Sequence, residues 1–287
     1  MIPSKFDYVR VNSIDEAIQQ LKQFNGEGML IAGGHSLVPL LKFRLSEPGA
    51  LIDISRISEL KGVRKEGDRI VIGALTTHFQ IANDPIVKEY IPVLSETVRQ
   101  IGDLQVRNRG TIGGNIAHAD PAADLPAAAF VLDAEIAIHG EDGPETMNID
   151  SFIVGPLITM LPENSVLTSI SFAIPPAHTN AEYLKFSHPA SGYPVIGVAV
   201  VAGVGENDVI DYIRIAITGV GNVAYRATSV EEKLLGQTLS QTLLKEAAQL
   251  AAEEGDMASD LFTSEDYRRN LCKVYTERAL KSVFYSN

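Results

Sequence analysis

Ser13 followed three residues later by Glu16 has the spacing of a capping box, and Ile14, Ala17, Ile18 and Leu21 then recur at helical intervals until Asn25 and Gly26 interrupt the run. This predicts one amphipathic helix. β-Prone runs flank it at 8–11 and 29–32, so the chain opens as a strand, a crossover helix and a parallel strand; a further apolar run at 50–54 adds another strand before 55–61 turns away. From Arg69 onward the pattern changes. Runs at 70–74, 134–139, 146–149 and 166–174 read as strands, while 78–82, 92–101 and 125–132 carry helical periodicity. Pro175 and Pro176 break helix and ladder alike and mark a domain boundary. Beyond them 181–186, 194–204 and 209–218 read as a meander, followed by helices at 229–235, 239–253 and 264–285.

The expected fold class is therefore α+β, with a domain at 1–175 divided into subdomains of about 1–60 and 61–175, and a second domain at 176–287. The longest uncharged apolar stretch, 193–205, is too short for a membrane helix and reads as a buried strand. Apolar residues at 45% against 21% charged exclude a disordered chain. A net charge of −12 without a segregated basic patch argues against a nucleic-acid partner. Cys272 is the single cysteine, which excludes an internal disulfide and the cysteine sets that hold structural zinc or iron–sulfur clusters in one chain. Charged residues interrupt the first eight positions where a secretory signal needs an apolar stretch, so a cytoplasmic location is expected.

Candidate chemistry gathers in two glycine-rich segments. In Ala32, Gly33, Gly34, His35 and Ser36, adjacent glycines after an apolar strand turn the backbone sharply and present successive amides to an anion, with a serine hydroxyl beside them. Alone, such a turn is more often plain chain reversal. A second loop at 110–115, with Thr111, Gly113, Gly114 and Asn115, lies far along the chain in the other subdomain. Two such loops gripping opposite sides of a pyrophosphate suit a dinucleotide. The spacing matches neither the single-unit dinucleotide fingerprint nor the phosphate loop of nucleoside triphosphatases. The stretch from Gly219 through Gly221 to Ala224 fits the fingerprint formally but lacks the second strand and acidic partner, and reads as a turn. Asp120 and Asp124 stand at the start of the predicted helix 125–132, where its dipole favours them. Cys272 reads as a packing residue, and the six histidines, His35, His78 and His118 among them, lack the local spacing of a metal site.

The segments at 32–39, 73–78 (Gly-Ala-Leu-Thr-Thr-His), 111–115 (Thr-Ile-Gly-Gly-Asn) and 120–126 (Asp-Pro-Ala-Ala-Asp-Leu-Pro) resemble the FAD-binding medium subunit of molybdenum hydroxylases, closest to the carbon monoxide dehydrogenase type. The resemblance implies two subdomains enclosing FAD, as in the vanillyl-alcohol-oxidase-like (PCMH-type) superfamily, and a C-terminal domain with an antiparallel sheet and helices that covers part of the flavin. It implies that 32–36 and 111–115 hold the pyrophosphate, that Asp124 is an acidic FAD contact, that Lys185 lies near the flavin and that Tyr193 stacks near the isoalloxazine. Ile101 falls where related eukaryotic enzymes carry an aromatic residue beside the flavin. Without the resemblance, Lys185 reads as an exposed edge residue and Tyr193 as part of a packed turn. The implied function is electron transfer through FAD from an iron–sulfur small subunit, beside a molybdenum-cofactor large subunit, in a dimer of heterotrimers. No metal site and no catalytic acid–base residue is expected in this chain. The alternatives are a stand-alone flavin oxidase or reductase of the same superfamily and a non-catalytic nucleotide-binding module.

Overall fold

The computed structural model describes residues 2–285. Its first lobe holds β1 (Asp7–Arg10), α1 (Ile14–Gln23), β2 (Gly28–Ile31), α2 (Leu37–Phe43) and β3 (Ala50–Asp53). Ser13 caps α1 as predicted, its Oγ accepting from the Glu16 amide at 3.1 Å. The Glu16 carboxylate returns to the amide of Asn12 at 2.7 Å, one residue earlier than in a standard box. The strands are parallel in the order β1-β3-β2. The strand-helix-strand unit predicted for 8–32 thus does not pair its own strands. β3 enters between them because Ala50, Leu51, Ile52 and Asp53 are all buried, whereas β1 and β2 are partly exposed and suit the edges.

The second lobe begins with β4 (Val63–Glu66) and β5 (Arg69–Gly73) and continues through α3 (His78–Asn83), α4 (Pro85–Tyr90), α5 (Pro92–Arg99), α6 (Leu104–Arg109), α7 (Ile112–His118) and α8 (Leu125–Val131). Then come β6 (Glu135–Gly140), β7 (Gly143–Asn148), the short α9 (Ile149–Phe152), a small hairpin of β8 (Ile153–Gly155) and β9 (Ile158–Thr159), and β10 (Val166–Ala173). The main sheet runs β4-β5-β10-β6-β7, antiparallel throughout. Helices α4 and α6 were not predicted. Each has six residues, less than two turns and too few for a clear period, and is fixed by Asp84 or Asp103, whose carboxylates cap the first amides.

The third lobe is an antiparallel meander of β11 (Thr179–Ser187), β12 (Pro194–Val204), β13 (Ile210–Thr218) and β14 (Tyr225–Arg226), followed by α10 (Thr228–Leu234), α11 (Gln241–Ala247) and α12 (Glu265–Tyr285). The helix predicted over 239–253 is shorter than its apolar pattern. α11 starts at the Ser240 cap and gives way to a tight turn over Ala248–Leu250. β12 is buried along nearly its whole length because both sheet faces are covered. Ala199 and Val201 pack into the core of the second lobe, and Val198 and Val200, one residue out of phase, pack under the C-terminal helices. The chain leaves one lobe at Pro175 and Pro176, yet the apolar core continues across that point. Among the described residues no helix is long and apolar enough to cross a membrane.

Candidate cofactor site

At the end of β2 the chain turns through 32–36 into α2, with Gly34 at φ +78°, a left-handed conformation that glycine adopts without strain. Among the described residues, the amides of Gly33, Gly34, His35 and Ser36 donate to no protein group. They form a run of free donors of the kind that cradles an anion.

The second glycine segment is built differently from the expected loop. Residues 112–118 are helix α7, Thr111 is its cap, and the cap hydroxyl accepts from the Gly114 amide at 3.2 Å. The Ile112 and Gly113 amides donate to the carbonyls of Thr76 and Ala74 at 3.0 and 2.9 Å. Most of the backbone donors that the sequence offered here are therefore already engaged. What the segment presents instead is the Thr111 hydroxyl, the bare Cα of Gly114 and the Asn115 amide, whose Oδ1 is buried without a partner. The two segments also touch. A Cβ on Gly33 would collide with the Arg109 carbonyl and lie 3.1 Å from the Gly110 Cα, so only glycine lets the first lobe close on the second.

Between the lobes lies a cavity of about 950 Å³, at the upper end of the range for ligand clefts. The first lobe supplies 28–37, the second supplies Ile101, 110–124 in part and 161–167, and the third closes one end with 190–193. Ala32, Gly33, Gly34, His35, Ser36, Thr111, Gly113, Gly114, Asn115, Asp124 and Tyr193 all line it, and Lys185 does not. Lys185 is neither a cavity residue nor the exposed edge residue of its bare sequence context. Its side chain is 2% exposed, its Nζ lies 2.9 Å from the Asp124 carboxylate, and it donates to the Gln100 carbonyl at 2.9 Å. It backs the wall that Asp124 forms.

Asp124, 4% exposed, also accepts from the Tyr183 hydroxyl at 2.6 Å. Burial pushes its carboxyl above the usual range, against the pull of Lys185 and Tyr183. Burial and the nearby carboxylate push the Tyr183 hydroxyl well up, so it remains a donor. Since Asp124 directly precedes α8 while Tyr183 and Lys185 belong to β11, this cluster ties the second lobe to the third at the cavity wall. At the rim, half-exposed Tyr193 has its hydroxyl raised by burial and then by Asp120 and Asp124.

Two contributors escaped the sequence reading. His78 is 2% exposed at the cavity wall, its Nδ1 has no partner, and burial followed by Arg107 and His35 lowers its pKa to about 4. A neutral imidazole with an unused ring nitrogen thus stands there at neutral pH. Its motif carried part of the family resemblance, but nothing local marked it as a wall residue. The wall segment from Leu161 to Leu167, with Asn164 and Ser165 among its lining residues, reads in the sequence as a turn leading into a strand and carries no motif. The formal fingerprint at 219–224 is a turn, with Gly221 packed against the Asp256 carbonyl and far from any role as a phosphate loop.

Residues 4–176 match the family described as the FAD binding domain in molybdopterin dehydrogenase, and 181–283 match the CO dehydrogenase flavoprotein C-terminal domain. The chain belongs to the FAD-binding medium subunits of the molybdenum hydroxylases. It is 38% identical over 284 residues to the carbon monoxide dehydrogenase medium chain of Hydrogenophaga pseudoflava, covering 99% of both chains. It is 35% identical over 283 residues to the glyceraldehyde dehydrogenase medium chain of Sulfolobus acidocaldarius, covering 99% of this chain and 100% of the other. A solved structure of the Hydrogenophaga pseudoflava carbon monoxide dehydrogenase that lacks the Mo-pyranopterin moiety superimposes with a TM-score of 0.95 at 38% identity, with 99% of each chain covered. The family membership establishes FAD as the cofactor and an oxidoreductase subunit as the role. The cavity fits that cofactor: it is long enough to reach three lobes, carries free amides at 33–36, and holds orphaned polar atoms on His78 and Asn115.

Proposed function

We propose that this chain is the electron-transfer flavoprotein of a molybdenum hydroxylase, holding one noncovalent FAD and working between an iron–sulfur small subunit and an external acceptor. A large subunit carrying the molybdenum cofactor completes the assembly, as a dimer of heterotrimers in the cytoplasm. The observation that carries this reading is the run of unused amides at 33–36, placed in a cavity whose walls come from all three lobes. FAD, when bound, supplies the redox chemistry, accepting and releasing electrons singly or in pairs. The chain's own residues hold and shield it. The 33–36 amides take the pyrophosphate, Thr111 and Asn115 complete its surroundings, Asp124 faces the flavin end and Tyr193 stacks at the rim. Lys185 and Tyr183 keep Asp124 in position from behind.

The family includes relatives named for substrates as different as carbon monoxide and glyceraldehyde. That range supports substrate choice lying in the large subunit. The purified chain is expected to be yellow with one FAD per chain, and acid precipitation should leave the flavin in the supernatant; flavin held on the pellet would point to a covalent link at His35. Mixed with hydroxylase substrates the isolated chain should stay oxidised, and adding the other two subunits should bleach it. Turnover by the isolated chain at about 1 per second or faster would make it a stand-alone oxidase instead.

A further inference from the structure

We propose that Phe262, in the loop before α12, is a positioning residue for the flavin end of the cavity. It acts by bracing His188 and, through it, the turn that carries Tyr193. The proposal rests on the reading that FAD fills the cavity with its flavin toward 190–193.

The turn over 188–193 leaves the sheet at a register shift between Phe186 and Ser187. It is held almost entirely by itself. The His188 amide donates to the Tyr193 carbonyl at 2.7 Å, the Gly192 amide to the His188 carbonyl at 2.9 Å and the Ala190 amide to His188 Nδ1 at 3.2 Å, while the Tyr193 amide reaches Ser191 Oγ at 3.3 Å. Among the described residues, one aromatic contact joins this closed unit to the rest of the molecule. The His188 and Phe262 rings meet edge to face with centroids 4.5 Å apart. No hydrogen bond does so. The turn thus closes one end of the cavity as a self-bonded unit whose tilt the His188–Phe262 contact is placed to set.

Phe262 is well anchored for that task although 47% of it is exposed. Asp260 Oδ1 accepts from the Phe262 and Thr263 amides, each at 2.7 Å, and Asp260 Oδ2 pairs with Arg268 at 2.6 Å. Arg268 is buried and also donates to the Gly219 carbonyl, and the Gly219 amide donates to the Pro121 carbonyl at 3.2 Å. The brace is thus referenced to the same 120–124 segment that places Asp124 on the cavity wall. Thr218, next to Gly219, donates to the Ala123 carbonyl at 2.7 Å and fixes that segment a second time. Wall and turn share one frame, with Pro194 packed on Gly219 where the turn re-enters the sheet and the half-exposed Phe262 bracing its other end through His188.

The test uses the full chain loaded with FAD and the variants Phe262→Ala, Phe262→Tyr and, as a neighbouring control, the fully exposed Leu261→Ala. Three quantities are read: the FAD dissociation rate, iodide quenching of flavin fluorescence, and the Tm of the FAD-free protein. Phe262→Ala should release FAD about three- to tenfold faster and admit more quencher. Phe262→Tyr, which keeps the ring edge, should stay within about twofold of the wild type, and Leu261→Ala should match it. The FAD-free Tm should move by less than about 2 °C in all three. Unchanged release in Phe262→Ala, or equal defects in the Tyr and Ala variants, would overturn the brace. So would faster release that merely tracks a lower FAD-free Tm. A wild-type chain that binds no FAD would instead overturn the cofactor reading on which the brace rests.

Discussion

His78 is a buried imidazole on the cavity wall whose titration couples stability to pH. Its folded pKa of about 4 lies below the ordinary 6.5 because burial disfavours the imidazolium. Between these values the unfolded chain binds more protons than the folded one. The stabilisation is therefore complete above about pH 6.5 and is lost as pH falls toward 4, by up to about 3 kcal/mol. Replacing His78 with Gln removes that titration. Urea midpoints at pH 7 and pH 4.5 should accordingly diverge less for His78→Gln than for the wild type, and parallel losses in the two proteins would count against the buried neutral ring.

At the scale of elements, the two glycine segments separate into a donor loop and a helix cap, and the distinction is testable. A methyl group on Gly33 meets the Arg109 backbone, so Gly33→Ala should force the first lobe off the second and lower both stability and FAD affinity. Gly114 is exposed to the cavity, and a Cβ there meets only the Thr111 hydroxyl at 2.8 Å. Gly114→Val should consequently leave far-UV circular dichroism intact while weakening FAD by roughly ten- to hundredfold, measured by titration of the FAD-free protein. Wild-type affinity in Gly114→Val would remove α7 from the binding surface. The Ser13 cap, the meander and the long tail helix were legible because each follows a local pattern. Helices α4, α6 and α7 were not, since one or two turns give too few positions for a period and a cap alone does not reveal them.

Across the whole molecule, the apolar core continues past the proline pair at 175–176. Tyr183, Ala199, Val201 and Ala216 of the C-terminal sheet complete the core that α5 and α8 build, and the buried Asp124, Lys185 and Tyr183 cluster crosses the same seam. A fragment ending at 176 would expose that apolar face and strip Asp124 of both partners. Expressed alone, it should aggregate or purify without flavin. A soluble, yellow, monomeric fragment by size-exclusion chromatography would show that the two domains are independent.

The sequence by itself carried the α+β class and, through its glycine-rich segments and the motifs around them, the resemblance to the family and its cofactor; of the twelve residues it singled out, eleven line the cavity. Tertiary structure alone decided the rest. It placed β3 between β1 and β2, put Lys185 behind Asp124, left the 33–36 amides free while engaging those of 112–113, and brought His78 and 161–167 to the same wall. Each of these depends on which distant backbone group or side chain arrives at a given atom. That is settled by the closing of three lobes on one another, which no window of the sequence contains.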